Sequence, residues 1–190
     1  MARFNLNFSN NNMLLIAGFT ASLGLTQTAT AMEPFSPSVD DSGNITLPQD
    51  FRKNMVHLGS WFVPEGGANG FHDVYSQAST VEAYRKTGKF PDGAILIKEL
   101  RVHKSGDYTT GKGVSYSTAG VKQTFVMVKD SQGRFDSKSW GDGWGWALFK
   151  SGQPKNNASS DYKKDCLGCH VPAQANDWVY SEGYPTLTNP

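Results

Sequence analysis

Two cysteines in 190 residues, both inside one pentapeptide, exclude a disulfide framework and leave too few thiols for a four-cysteine zinc site. Charge of either sign is not in excess: 18 Lys and Arg stand against 17 Asp and Glu. No long-range field therefore favours nucleic acid or an anionic membrane, although a neutral patch that docks a protein partner stays compatible with the balance. Long apolar runs are missing as well. The longest, Met13 to Leu25, is 13 residues, short of the roughly 20 that a bilayer-spanning helix needs. There is no internal repeat and no sign of a second domain.

The two thiols that exist form Cys166-Leu167-Gly168-Cys169-His170. On a helical turn, positions i, i+3 and i+4 share a face, so two thiols and an imidazole point the same way. This is the attachment signal for one covalently bound c-type haem, with Cys166 and Cys169 closing thioethers on the porphyrin edge and His170 reaching the iron as axial ligand. A zinc half-site would need further ligands that no other cysteine supplies. A thioredoxin-like pair would follow a strand and open a helix within a βαβ pattern, and neither reading accounts for the histidine that follows at once.

The amino-terminal residues read as an export signal: Arg3 is the only charge, the apolar run follows, and Ala29-Thr30-Ala31 is a small-x-small cleavage site. Cleavage after Ala31 leaves 159 residues, enough for one domain with a real core. The expected location is the periplasm, free of membrane once the signal is removed. Export agrees with thiol usage, because thioether formation leaves no cysteine to mispair under oxidising conditions.

Residues 32–47, rich in Ser, Pro, Asp and Gly, read as an extended lead-in with little packing of its own, and residues 48–190 as the domain. Strands are expected over Val56–Val63, Gly70–Tyr75, Ala94–His103, Gln123–Asp130 and Gly143–Lys150. Ser79 and Glu82 form a capping-box pattern for a short helix ending near Gly88, and Phe90-Pro91-Asp92-Gly93 suits a tight turn. Residues 105–120 read as a Gly/Ser/Thr-rich loop. A haem-attachment helix starts near Ser159 or Ser160 and stops before Pro172. The fold class is α+β, mostly β: a small antiparallel sheet with a few flanking helices and that carboxy-terminal helix.

Strand alternation puts Ala94, Leu96, Lys98, Leu100 and Val102 on one face, so a lysine stands in an apolar row. Such an amine must snorkel out, pair with a carboxylate, lose its proton or be consumed by a covalent bond. Ile95 and Ile97 open the other face, so periodicity alone does not choose.

Several tracts together resemble the cytochrome P-460 family: Phe71-His72-Asp73-Val74-Tyr75, Lys86 through Gly93, Lys98-Glu99-Leu100, Val128-Lys129-Asp130, Trp144-Gly145-Trp146, the Cys-x-x-Cys-His motif, and Tyr184-Pro185-x-Leu187. The resemblance covers nearly the whole mature chain. It implies a small, mostly antiparallel β domain, a homodimer, and a five-coordinate haem iron with His170 as its protein ligand. It further implies that Lys98 is bonded through its side-chain nitrogen to a meso carbon of the porphyrin. The ligands implied are hydroxylamine or nitric oxide, with an electron-acceptor protein as partner.

The chain departs from that pattern at one point. Family members that oxidise hydroxylamine carry a glutamate just before the Val-Lys-Asp segment. Here the stretch is Thr124-Phe125-Val126-Met127, and Phe125 stands where the acid would. A phenyl ring there resembles the lysine-free cytochromes c′-β, which favours a non-enzymatic nitric oxide binder or sensor as the second function. Phe125 and Met127 also read as ordinary core. A third function, a simple electron carrier, would use Met127 or Met55 as a sixth ligand. His57, His72 and His103 read as surface or satisfied polar residues, His72 lying in a matched segment that can face the pocket. Trp140, Trp144 and Trp146 read as core, and Gly145 and Ala147 as small residues that would admit a flat ligand.

Overall fold

The computed structural model describes residues 35–188. The export signal and its cleavage site lie outside them. Among the described residues no helix is long and apolar enough to cross a membrane.

Six strands form one antiparallel sheet: β1 (Val56–Val63), β2 (Gly70–Ser76), β3 (Ile95–Tyr108), β4 (Gly111–Lys129), β5 (Trp140–Gly141) and β6 (Trp144–Lys150). Their order is β1-β2-β3-β4-β6-β5. Four short α-helices flank it: α1 (Phe51–Asn54), α2 (Ala78–Thr87), α3 (Tyr162–Asp165) and α4 (Leu167–His170). The α+β, mostly β class is thus observed. Both faces of the central strands are buried, which is why Ile95 and Ile97 are as apolar as Leu96 and Leu100. On one face Leu96, Met127, Trp144 and Trp146 pack against α2 and the carboxy-terminal segment. On the other, Ile95, Ile97, Val126 and Phe149 pack against Ile45, Phe51 and their neighbours.

That second core corrects the expectation for residues 32–47. Ile45 is buried, Ser36 and Ser38 are buried, and Trp140 Nε1 donates to the Gly43 carbonyl at 2.8 Å. A segment without regular structure still packs here, because the sheet would otherwise expose an apolar face to water. Gly145 has the same cause: a Cβ there would sit 2.6 Å from the Trp140 ring. Its small size serves this packing and no flat ligand.

Three further expectations change. Residues 105–120 are no loop. Strands β3 and β4 pair on through His103↔Ser117 and Ser105↔Ser115 to Tyr108↔Gly111. The arm is held by its backbone ladder, a Ser105–Ser115 hydroxyl contact of 2.8 Å and an edge-to-face Tyr108–Tyr116 pair. With neither face covered it carries no apolar alternation, and so no strand signal. Helix α2 begins at Ala78, with Gln77 at the cap and no side-chain cap. Gln77 Oε1 instead accepts from Ile95 N at 2.8 Å and from Thr80 Oγ1 at 3.0 Å, tying the helix to β3, while Ser79 and Glu82 stay exposed. The helix does end at Gly88, in the left-handed conformation that glycine adopts without strain. The attachment helix is broken at Cys166 between α3 and α4, and a 3-10 turn carries the path through Pro172 to Asn176. Proline fits there because the first helical turn has no hydrogen bond for its missing N–H to lose.

Candidate functional site

The cavity lies between the sheet and the carboxy-terminal segment. Its volume is about 310 Å³, and its lining includes Lys98, Phe125, Cys166, Cys169 and His170, the five residues singled out from sequence. Antiparallel register explains the sheet wall. Lys98 pairs with Val74 on one side and Phe125 on the other, and Phe125 pairs with Leu148, so these side chains share a face. Leu96, Met127 and Trp146 form the next row.

Lys98 has no carboxylate partner among the described residues. Its Nζ lies 4.3 Å from the centre of the Phe125 ring. Burial pushes its ammonium below the usual lysine range, opposed only by the nearby Cys169 and Cys166 thiols. Neighbouring Glu99 points to the opposite face, where it is buried and bonded by Arg52 and by Arg101 at 2.7 Å. The two titratable residues of one motif therefore have unlike roles, one held by counter-ions and one without any.

The opposite wall is built by the tail. Asp161 accepts from Lys163 N at 3.0 Å to start α3. Asp165 Oδ2 accepts from Ser160 N at 2.8 Å and Asp161 N at 3.2 Å, which folds the approach to Cys166. Both cysteines are free thiols, and burial pushes that of Cys166 up. His170 Nδ1 donates to the Trp178 carbonyl at 2.7 Å, and the ring stands edge-on to Trp146 at 4.9 Å. That hydrogen bond fixes the tautomer, so Nε2 keeps a lone pair free for a metal. Burial lowers the basicity of His170, which keeps the ring neutral as a ligand requires.

The carbonyl is placed by an unusual turn: Asp177 and Trp178 have φ of 57° and 65°. Asp177 is secured by Lys129 Nζ at 2.7 Å, and its carbonyl accepts from Trp144 Nε1 at 3.0 Å. Sequence reasoning passed over Asp177 and Trp178, for no local pattern marks a turn whose partners are 33 and 48 residues away.

His72 also lines the cavity. It is buried with Val74 and Ser76 on one face of β2, a placement the sequence does not signal, because Phe71 and Tyr75 make the other face the more apolar one. It is not fully satisfied: Nε2 meets the Ala68 carbonyl at 2.8 Å, and Nδ1 has no partner. His57 and His103 do not reach the cavity; His57 bonds Ser60 at 2.8 Å and His103 packs against Phe62. Met55 packs on the far side of the sheet and cannot serve as a ligand here, whereas Met127 lines the cavity.

A family model described as cytochrome P460 matches residues 48–181. The chain belongs to the cytochrome P-460 family. No curated protein matches it. Family membership implies a haem cofactor of the c type. The residues of this chain fit such a group: an apolar cavity walled in part by Trp146, two free thiols and a neutral imidazole on one wall, and on the other an amine without a carboxylate partner among the described residues. The matched tracts outside the cavity have structural work in the same fold. Asp92 accepts from Ser131 N at 2.9 Å and Arg134 pairs with Asp92 and Asp130, locking the turns that lead into β3 and out of β4.

Proposed function

We propose that this chain is an exported, periplasmic haem protein that binds and oxidises hydroxylamine or nitric oxide. In this reading one haem is attached through Cys166 and Cys169, His170 is its iron ligand, and Lys98 is bonded to the porphyrin. An iron with one open position would supply a Lewis acid and a route for electrons to an exported acceptor protein. The chain's own residues orient and shelter the ligand. His170 is held by the Trp178 carbonyl, Phe125 and Trp146 exclude water, and Lys98 ties the sheet to the cofactor. A homodimer is part of the same proposal.

The observation that carries this reading is the Lys98 amine, half-buried on the cavity wall and desolvated there, which has no counter-ion among the described residues and faces both thiols of the attachment motif. A covalent bond removes the cost of an ammonium stranded in such a place. Intact mass and an optical spectrum of the wild type and Lys98→Ala test it. Both proteins keep the attached haem, and the distorted-haem spectrum of the wild type reverts to an ordinary c-type spectrum in the variant. Identical spectra reject the bond. An anaerobic assay with hydroxylamine and an artificial electron acceptor tests the reaction, and turnover no faster than that of free haem rejects it. Phe125 favours the second reading, a nitric oxide binder without turnover, because a phenyl ring offers no group to accept protons. Reversible nitric oxide binding without hydroxylamine turnover would establish it.

A further inference from the structure

Oxidising hydroxylamine requires a group that accepts protons, and Phe125 on the sheet wall of the cavity offers none. The acids near the cavity are committed. Asp165 lines it, but it is exposed, and the bonds its Oδ2 accepts from the backbone of Ser160 and Asp161 and from the Ser159 and Ser160 hydroxyls hold its carboxyl below the usual range and make it a poor base. Glu99 lies on the other face of the sheet between two arginines. His170 has its Nδ1 on the Trp178 carbonyl, and its Nε2 is reserved for the metal.

His72 remains. It is 4% exposed and sits across from Leu100 in the β2–β3 ladder, a diagonal neighbour of Lys98 on the same face. The Trp61 indole stacks on its ring with centroids 5.0 Å apart and planes 16° apart, so the imidazole cannot turn outward without losing that contact. The Ala68 carbonyl, also on the cavity wall, can only accept, so Nε2 carries the hydrogen and Nδ1 is left as a lone pair. Buried polar atoms without partners are few in folded proteins and call for a cause. A buried imidazole acceptor on a ligand cavity has one ready: its partner is the ligand.

We propose that His72 is the hydrogen-bond and proton acceptor of this cavity, taking the O–H proton of hydroxylamine at Nδ1. The assignment rests on the hydroxylamine reading of the site. In the step the O–H bond breaks, an Nδ1–H bond forms, the imidazole gains one positive charge and the ligand oxygen keeps the electron pair. No electron moves between molecules. The Nε2–H bond to Ala68 persists throughout and holds the ring in place. Burial above all, and the charges of Lys98 and Lys122, oppose an imidazolium here, while the hydrogen bond to Ala68 and the charge of Asp73 favour it. Consuming the Lys98 amine in a covalent bond removes one of the two opposing cations, so the same modification that relieves Lys98 also makes His72 a better base.

Optical titration of the ferric holoprotein, anaerobic and without electron acceptor, tests the assignment with two ligands. Hydroxylamine has the O–H donor, and O-methylhydroxylamine keeps the nitrogen and lacks it. His72→Phe should weaken hydroxylamine binding by about fivefold, the worth of one hydrogen bond, and change O-methylhydroxylamine binding less than twofold. His72→Gln, which restores an acceptor, should recover part of the loss. Equal weakening of both ligands in His72→Phe without recovery in His72→Gln, or no weakening of hydroxylamine, overturns the assignment. If the wild type binds neither ligand, the hydroxylamine reading fails and the role of His72 fails with it.

Discussion

Lys98 and Glu99 are adjacent in sequence and face opposite sides of one sheet, so the cost of burying each is met differently. Glu99 has Arg52 and Arg101, and removing it leaves the half-buried Arg101 guanidinium without its acid. Glu99→Ala should therefore destabilise the fold by about 3 kcal/mol, measured as a lower urea midpoint, and leave the haem spectrum unchanged because the side chain never meets the cavity. For Lys98 the expected order is set by charge. Lys98→Met keeps length and apolar fit, loses the buried amine, and should yield well-folded holoprotein with an ordinary c-type spectrum. Lys98→Arg forces a permanent charge into the same place and should lower both holoprotein yield and melting temperature. Equal stability of the two variants would mean that this position is wetter than the cavity wall implies. Lys98 could be singled out from sequence because a charged residue in an apolar row breaks a period-2 pattern. Glu99 could not, since its face is apolar only over Ile95 and Ile97, and its two arginines come from distant or neighbouring positions that no pattern connects.

At the scale of elements, the longer strands with one or both faces buried were readable, and the uncovered arm and the two-residue β5 were not. β1, β2 and β6 fall where alternation and turn residues place them, whereas the β3–β4 arm over residues 105–120 has mostly polar side chains on both faces and reads as loop. The attachment motif was legible because its chemistry dictates its spacing, but the helix carrying it was overestimated: Cys166 has φ of −124°, and two single turns replace one continuous helix. Stability of so short a helix comes from its ties to the rest of the fold. The tie that matters most for His170 is the Asp177–Trp178 turn. Two consecutive left-handed residues cost about 1 kcal/mol each or more, and Lys129 and Trp144 offset that cost at Asp177. Asp177→Ala removes the carboxylate from both, and should destabilise the holoprotein by about 1.5 kcal/mol. It should also raise the reduction potential, because a looser Trp178 carbonyl leaves His170 a weaker donor. Lys129→Met should shift the potential in the same direction by less, as the Trp144 contact with the Asp177 carboxylate survives. A potential unchanged in both variants would show that the turn supports packing alone.

For the whole molecule, pH selects between the folded and unfolded chains through groups that the core holds neutral. Burial keeps His72 below its ordinary value of 6.5, so as pH falls below that value the unfolded chain takes up a proton that the folded one refuses, and stability is lost down to the folded value. Arg134 holds Asp92 below 3.8, which adds a second acid limb once unfolded carboxylates begin to protonate. At the alkaline end the sign reverses. Burial and the hydrogen bond to Asp142 push Tyr162 up to about 12, and burial raises Tyr184 as well. Between pH 10 and about 12 the unfolded tyrosines lose protons that the folded ones keep, so stability falls as pH rises. Urea midpoints of the holoprotein should thus be level from about pH 7 to 9.5 and decline on both sides. His72→Phe should flatten the first part of the acid limb, and Tyr162→Phe should flatten part of the alkaline one. Because one lies on β2 against Trp61 and Ala68 and the other on α3 against Trp146 and Asp142, with no shared partner among these contacts, their effects should add. A double variant whose alkaline and acid limbs differ from the sum of the single ones would indicate that the tail and the β1–β2 side of the sheet unfold as one unit coupled through the haem.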